Sequence, residues 1–314
     1  MKSNKIKHFI NLKDISGTDL RKIIIDAKQR KKQRKNLNTL EVDKGSPLKG
    51  KMLIQMFEKA SSRTRISFYL AIKQLGGGTL TLRSNELHLG QGGETIADTA
   101  KILSTYGDGF MLRTDSDKKI LDFKKHLTIP IINGLSPSSH PTQVLSDIFT
   151  VEEIKKKPIS RLKICWIGDS NNVLDSLIAA SVKFSFRLSI GCPKKFEPKK
   201  KVKDWVKKNN KKIYIYNDPK KAVYDADVIF SDKVISLNDK VNKLRKIKHF
   251  QKFKIKKELF NHSKKNCIFL HCLPRGDEVE EEVFLGKNSH VWQQALNRVH
   301  VQKSILLYCF GKLR

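Results

Sequence analysis

The sequence predicts an α/β protein of two domains, each a parallel β-sheet flanked by helices. Three observations predict it. Short apolar runs alternate along the chain with segments of helical period, which is the pattern of strand–helix–strand units. A length of 314 residues is comfortable for two domains of about 150. Polar clusters follow the apolar runs, where open α/β sheets hold their ligands.

Leu20, Ile23, Ile24 and Ala27 recur at helical spacing and predict a helix over 19–35, with KQRKKQRK as its solvated end. A strand over 51–57 and a helix over 62–75 follow, then a strand near 79–83, a helix over 95–106 and a strand over 109–113. A short helix near 120–126 and a strand at 129–133 lead into HPTQVLSDIFTVEEIKKK, read as a long helix ending at Pro158. The second series begins at Leu162, and the two domains are expected to meet near residues 150–160. Its strands are expected at 163–168, 186–191, 212–216, 227–231 and 267–271, with helices between them that include 173–184 and 199–209. VHVQKSILLYCF closes the chain as an amphipathic helix.

An apolar content of 39% supports real cores. No run approaches the roughly 18 apolar residues of a membrane span, and MKSNKIKHFINL lacks the apolar core of a signal peptide. Five cysteines (165, 192, 267, 272, 309) without C-x-x-C spacing argue against a disulfide framework or zinc ribbon and point to a reducing, cytoplasmic setting. The net charge is +32, but only 13 of the 63 basic residues are arginine and the lysines are scattered. A nucleic-acid reader concentrates arginine and aromatics on one element within a known motif. None is present, so solvated lysine faces are the preferred reading, with steering of anionic substrates second.

At 61–64, Ser61, Ser62 and Thr64 stand where a strand hands over to a helix. Hydroxyls there can cap the helix, and its free N–H groups can bind phosphate. Arg63 and Arg65 lie about 200° apart around a helix, so Arg63 is expected to bind and Arg65 to brace. A capped helix with surface arginines fits the same residues. His140 and Gln143, three apart in HPTQ behind a helix-opening Pro141, suit a polarised carbonyl better than a metal, and a buried histidine bonded to backbone also fits. Arg113 ends a strand, where its guanidinium can fork two oxygens or make a surface ion pair. IGDSNNV carries Asp169, Asn171 and Asn172 on a strand–turn–helix without G-x-G-x-x-G, which argues against a dinucleotide site. Asp232 ends another strand, Ser236 and Asn238 follow it, and HCLPR places His271, Cys272 and Arg275 at the last strand end. A thiolate nucleophile at Cys272 is disfavoured, because the sequence places no base for it.

FEKASSRTR, HLGQGGETIADTAKIL, HPTQVLSD, IGDSNNV and HCLPR, in that order, resemble the aspartate/ornithine carbamoyltransferase family. The match runs through nearly the whole chain, and HCLPR with the NNV turn favours the ornithine branch.

The resemblance implies a domain over 1–150 that binds carbamoyl phosphate, joined by a C-terminal helix (about 295–314) returning to it, and an ornithine-binding domain over 151–294. Ser61, Ser62, Arg63, Thr64 and Arg113 are implied to hold the phosphate. His140, Gln143 and Arg298 are implied to help Thr64 and Arg113 polarise the carbamoyl oxygen. Asn172, Asp232, Ser236 and Leu237 are implied to contact ornithine, with Cys272 and Arg275 near the attacking amine. Among these, Arg63, His140, Cys272 and Arg298 are the implied catalytic residues. The implied reaction gives citrulline and phosphate in arginine metabolism, needs no cofactor or metal, and belongs to a family that usually forms trimers. Departures from the family pattern are Ser62 for threonine, Leu296 for an acidic residue, and D-K-V-I-S-L-N at 232–238 for D-x-W-x-S-M-G. They leave putrescine or an acylated ornithine as alternative acceptors, and a basic nucleic-acid-binding protein on an inactive scaffold as the reading from another class.

Overall fold

A computed structural model of the chain describes residues 6–83, 93–209, 212–235 and 243–313. The chain divides into two compact units, Met1–Phe149 with Ala295–Arg314, and Thr150–Gln294. The first contains α1 (Gly17–Gln33), β1 (Met52–Phe57), α2 (Ser62–Gln74), β2 (Gly78–Arg83), α3 (Ile96–Tyr106), β3 (Gly109–Arg113), α4 (Asp117–His126) and β4 (Ile131–Leu135). Helix α5 (Pro141–Lys155) runs through the boundary. The second contains β5 (Lys163–Ile167), α6 (Asn172–Phe184), β6 (Arg187–Gly191), α7 (Lys200–Asn209), β7 (Ile213–Tyr216), α8 (Pro219–Val223), β8 (Val228–Asp232), α9 (Lys243–Phe250), β9 (Ile268–Cys272) and α10 (Glu281–Phe284). Helix α11 (Val291–Cys309) carries the chain back into the first unit.

Both sheets are wholly parallel, in the orders β2-β1-β3-β4 and β7-β6-β5-β8-β9. Helices cover the apolar strands, as parallel sheets require. In the first unit Ile54, Met56, Phe110 and Leu112 pack with Ile120 and Phe123 of α4, the two phenylalanine rings 5.1 Å apart. In the second, Cys165, Ile167, Ile229 and Phe269 form the equivalent layer.

Several boundaries move for identifiable reasons. Helix α1 starts at Gly17 because Ser16 caps it, accepting from the Asp19 N–H. Helix α4 starts at Asp117 because Ser116 accepts from the Lys119 N–H. Strand β4 begins two residues late: Pro130 has no N–H, and its carbonyl accepts from Phe110 at the edge of the ladder. Gly168, after β5, has φ +144°, a region open chiefly to glycine.

The larger correction concerns the last helix, which is buried nearly all round rather than amphipathic. His300, Gln302, Lys303 and Ser304 lie as deep as Val301 and Ile305. A hydrogen bond to α1 and an ion pair to the following loop make this tolerable. Lys303 Nζ donates to Asp43 at 2.9 Å, and Arg34 donates to the other Asp43 oxygen at 2.7 Å. Ser304 donates to Asp26 at 2.6 Å, and Asp26 also holds Arg30 at 2.8 Å. Burial pulls the Lys303 ammonium down to about 8, against the pull of Asp43.

Candidate active site

Strand order reverses between β1 and β3 in one sheet and between β5 and β8 in the other. Crevices beyond the carboxyl ends of such strands are where open α/β sheets bind ligands. Ser61, Ser62, Arg63, Thr64, Arg113, Asn172, Asp232 and Cys272 fall at or just after strand ends, His140 and Gln143 stand at the start of α5, and Arg298 comes from α11.

In the first unit, Phe57 of β1 lies in register with Arg113 of β3, and the Glu58 N–H donates to the Arg113 carbonyl at 3.0 Å. Helix α2 opens immediately after. Ser61 holds its N-cap position in extended conformation, yet its hydroxyl caps nothing, contrary to the capping expected of it. Ser61 is half-buried, Ser62 and Arg63 are exposed, and Thr64 is buried. The unpaired N–H groups of the first turn and the exposed hydroxyls together suit a phosphate.

Thr64 is the hub of a connected network. Its Oγ1 accepts from Arg298 Nη2 at 2.8 Å and from Arg113 Nη1 at 3.4 Å. Arg298 Nη1 donates to Gln143 Oε1 at 2.6 Å, and Gln143 Nε2 donates to the buried Asp147 at 2.8 Å. His140 is buried immediately before α5, which Pro141 opens. Burial, then the guanidiniums of Arg298, Arg113 and Arg63, hold its pKa well below the ordinary imidazole value. A neutral ring keeps one donor and one acceptor nitrogen. Two hydrogen-bonded guanidiniums, an amide and a neutral imidazole that also feels the Arg63 charge thus come together, a donor set suited to a phosphate dianion and a polarised carbonyl oxygen.

Arg65, expected to brace, is instead exposed. With Arg83, Thr81 and residues 57–62 it lines an open cavity of about 470 Å³. The residue that does brace was not anticipated. Glu58, just after β1, accepts hydrogen bonds from Thr114 Oγ1 and the Lys119 ammonium, tying the ends of β1 and β3 to the first turn of α4. Only its place directly after an apolar strand hinted at this.

In the second unit, the β8–β9 register sets Asp232 beside Cys272. Asn171 caps α6, its Oδ1 accepting from the N–H groups of Val173 and Leu174, while its Nδ2 donates to Asp232 at 2.7 Å. Asn172 is the first residue of α6 and half-buried. Burial pushes the Asp232 carboxyl up to about 6, partly offset by His271, the Lys233 N–H and the Asn171 amide. Cys272 is buried at the end of β9, and the Arg275 guanidinium lies 4.6 Å above the Phe284 ring.

His271 donates or accepts with Glu278 at 3.0 Å, and the Gly276 N–H donates to the same carboxylate at 2.6 Å. Burial raises the Glu278 pKa, but these partners outweigh it and leave the carboxyl below its ordinary value. Lys233 lines a separate cavity of about 320 Å³ with Val234, Phe250, Asp277 and Glu278. Ser236, Leu237 and Asn238 lie outside the described residues. Asn171, Asp169 and Lys246 complete this half of the site. Asn171 was legible as a cap, whereas Lys246 was one lysine among many. No group of three or more metal-ligating side chains occurs among the described residues.

Comparison with known proteins also breaks the chain near residues 150–160. Residues 7–153 match the aspartate/ornithine carbamoyltransferase carbamoyl-P binding domain, and residues 160–309 match the Asp/Orn binding domain of that family. An ornithine carbamoyltransferase of Agrobacterium fabrum is 42% identical over 307 residues, covering 97% of this chain and 98% of the relative. One from Rhizobium meliloti is also 42% identical, covering 97% and 99%. Among solved structures, ornithine carbamoyltransferase from Pyrococcus furiosus superposes with a TM-score of 0.90 at 38% identity, covering 97% of each chain. With both units matched and full-length relatives above two-fifths identity, this chain belongs to the aspartate/ornithine carbamoyltransferase family.

Proposed function

We propose that the chain transfers the carbamoyl group of carbamoyl phosphate to the δ-amine of L-ornithine, giving L-citrulline and phosphate in arginine metabolism. The observation that carries the donor side is the network joining Thr64 of α2 to Arg113, Arg298 and Gln143, beside a neutral His140 at the start of α5. The full-length relatives named ornithine carbamoyltransferase support the amine.

Ser61, Ser62, Arg63, Thr64 and Arg113 hold the phosphate. Arg298, Gln143 and His140, with Thr64 and Arg113, polarise the carbamoyl oxygen. Asp232 receives the α-amine, Asn172 the carboxylate, and Ser236 and Leu237 complete the acceptor contacts. Cys272 and Arg275 border the attacking amine. An ornithine side-chain ammonium has an unperturbed pKa of about 10.4, so it must first lose a proton. The free amine then attacks the carbonyl carbon, an N–C bond forms, and negative charge collects on the carbonyl oxygen. Preorganised donors stabilise that charge. The C–O bond to phosphate then breaks, and the departing phosphate accepts the proton the amine nitrogen sheds. This chemistry needs neither metal nor covalent intermediate.

None of the five cysteines forms a disulfide, which fits a cytoplasmic enzyme, and no helix among the described residues is long and apolar enough to cross a membrane. A homotrimer is the assembly we expect, and a single-chain mass in solution would count against it. Carbamoyl phosphate offered with ornithine, putrescine and an acylated ornithine tests the reading as a whole. Citrulline is the expected main product; citrulline as a minor product overturns the choice of amine.

A further inference from the structure

Among the described residues only two lysines are buried, Lys246 and Lys303. Lys303 serves the α1–α11 network. Lys246 belongs to α9, whose sequence KLRKIKHF turns its other cations outward and buries only Lys246 and Phe250. Its ammonium meets Asp169 Oδ2 at 2.6 Å and stands 5.8 Å from the Phe196 ring centroid. Burying a lysine is costly unless it answers a charge, and here that charge is on the acceptor turn itself.

Three carboxylates are gathered around that turn. Asp169 is answered by Lys246, and Glu278 by His271 and the Gly276 N–H. Asp232 differs: its direct donors are the Asn171 amide at 2.7 Å and the Lys233 backbone N–H at 2.7 Å, both neutral, and the nearby His271, which eases its charge, is hydrogen-bonded to Glu278 instead. Asn171 sits two residues from Asp169, so the answered and the unanswered carboxylate flank one cap.

We propose that Lys246 is a specificity-determining residue that neutralises Asp169, leaving Asp232 as the one carboxylate of the cluster free to receive a cationic amine. One unanswered charge matches an acceptor with an α-ammonium beside an α-carboxylate. Two would repel that carboxylate and favour a diamine that lacks one. The inference rests on the proposed ornithine reading and says which feature selects an amino acid over a simple diamine.

The test is steady-state kinetics of the full-length enzyme with ornithine and putrescine. In Lys246→Met, kcat/KM for ornithine is expected to fall about tenfold through KM, the size of an uncompensated charge at partly screened range. The rate with putrescine relative to ornithine rises, and KM for carbamoyl phosphate stays unchanged. Lys246→Arg keeps the wild-type ratio. The double variant D169N/K246M, which restores the charge balance without the pair, returns the ratio toward wild type. An unchanged ratio in K246M, or a double variant no different from K246M, overturns the proposal. Should K246M fail to fold, Asp169→Asn decides: it frees Lys246 to compete for Asp232, and an unchanged ornithine KM overturns the proposal. A wild-type enzyme that makes no citrulline sinks the functional reading instead, whereas a ratio indifferent to Lys246 in an active enzyme sinks only this inference.

Discussion

Arg298 Nη2 donates to Thr64 Oγ1 at 2.8 Å, joining residues 234 apart in sequence. The same guanidinium holds Gln143 through its other terminal nitrogen, so the last helix of the chain orders both the α2 and α5 contributions to the donor site. A planar fork with two fixed donors suits this role, which a lysine point charge would fill poorly.

Arg298→Ala should therefore lower kcat by about 10²–10³, the usual loss for one oxyanion-stabilising donor. Arg298→Lys should recover only part of it. Rates at saturating carbamoyl phosphate check this, and a wild-type kcat in the alanine variant would remove Arg298 from the chemistry.

His140 should stay neutral across the physiological range. Burial and three guanidiniums hold its pKa well below the usual value, so it gains no proton between pH 8 and 6. Nitrogen NMR of the imidazole should show one protonated and one bare nitrogen at pH 6. An imidazolium there would contradict the assignment.

Asp232, held at about 6, is ionised above that pH and loses its charge below it. Acceptor binding should weaken as pH falls through 6. The slope of log(kcat/KM) for ornithine against pH, about 1 at neutral pH from protonation of the reacting amine, should steepen toward 2. Asp232→Asn should lose most of the acceptor affinity and the extra slope together.

Glu58→Gln should raise KM for carbamoyl phosphate about tenfold with little change in the acceptor's KM. The amide keeps an acceptor for Thr114 but not the ion pair to Lys119, which helps fix the turn carrying Arg113. Equal effects on both substrates would argue against a donor-side role.

Asp43→Asn should cost about 3–5 kcal/mol in urea unfolding, because it leaves the buried Lys303 ammonium without its counter-charge and Arg34 with backbone carbonyls alone. Lys303→Met should cost far less, since Asp43 keeps Arg34. Lys303 titrates at about 8 when folded and near 10.4 when unfolded, so across that window the unfolded chain holds more protons. Wild-type stability should gain from this group as pH rises from 8 to 10.4, and Lys303→Met should lose that gain.

Much of the fold was legible because strand and helix periods differ and because apolar runs ended at chemically unusual residues. Errors gathered where tertiary partners replace water. The segment 299–310 reads as amphipathic because His300, Gln302 and Lys303 are polar, yet Asp43 supplies a buried counter-charge for Lys303 and Asp26 an acceptor for Ser304. Ser61 has the residue type of a cap and the cap position, but only the backbone could reveal that its hydroxyl is not used. Arg63 and Arg65 are both exposed, so burial does not mark Arg65 as the bracing one.

The donor-side expectation came from the sequence by itself. Hydroxyls and arginines at a helix start, together with H-P-x-Q, are short-range patterns whose meaning survives without coordinates. The tertiary structure alone decided which charges are answered. Among scattered lysines, Lys246 and Lys303 are singled out only by burial against an aspartate. Asp232 stands apart from Asp169 only through the partners each has found. The reason is physical: a charge's energy depends on desolvation and on neighbours brought from distant parts of the chain, and neither is written in local spacing.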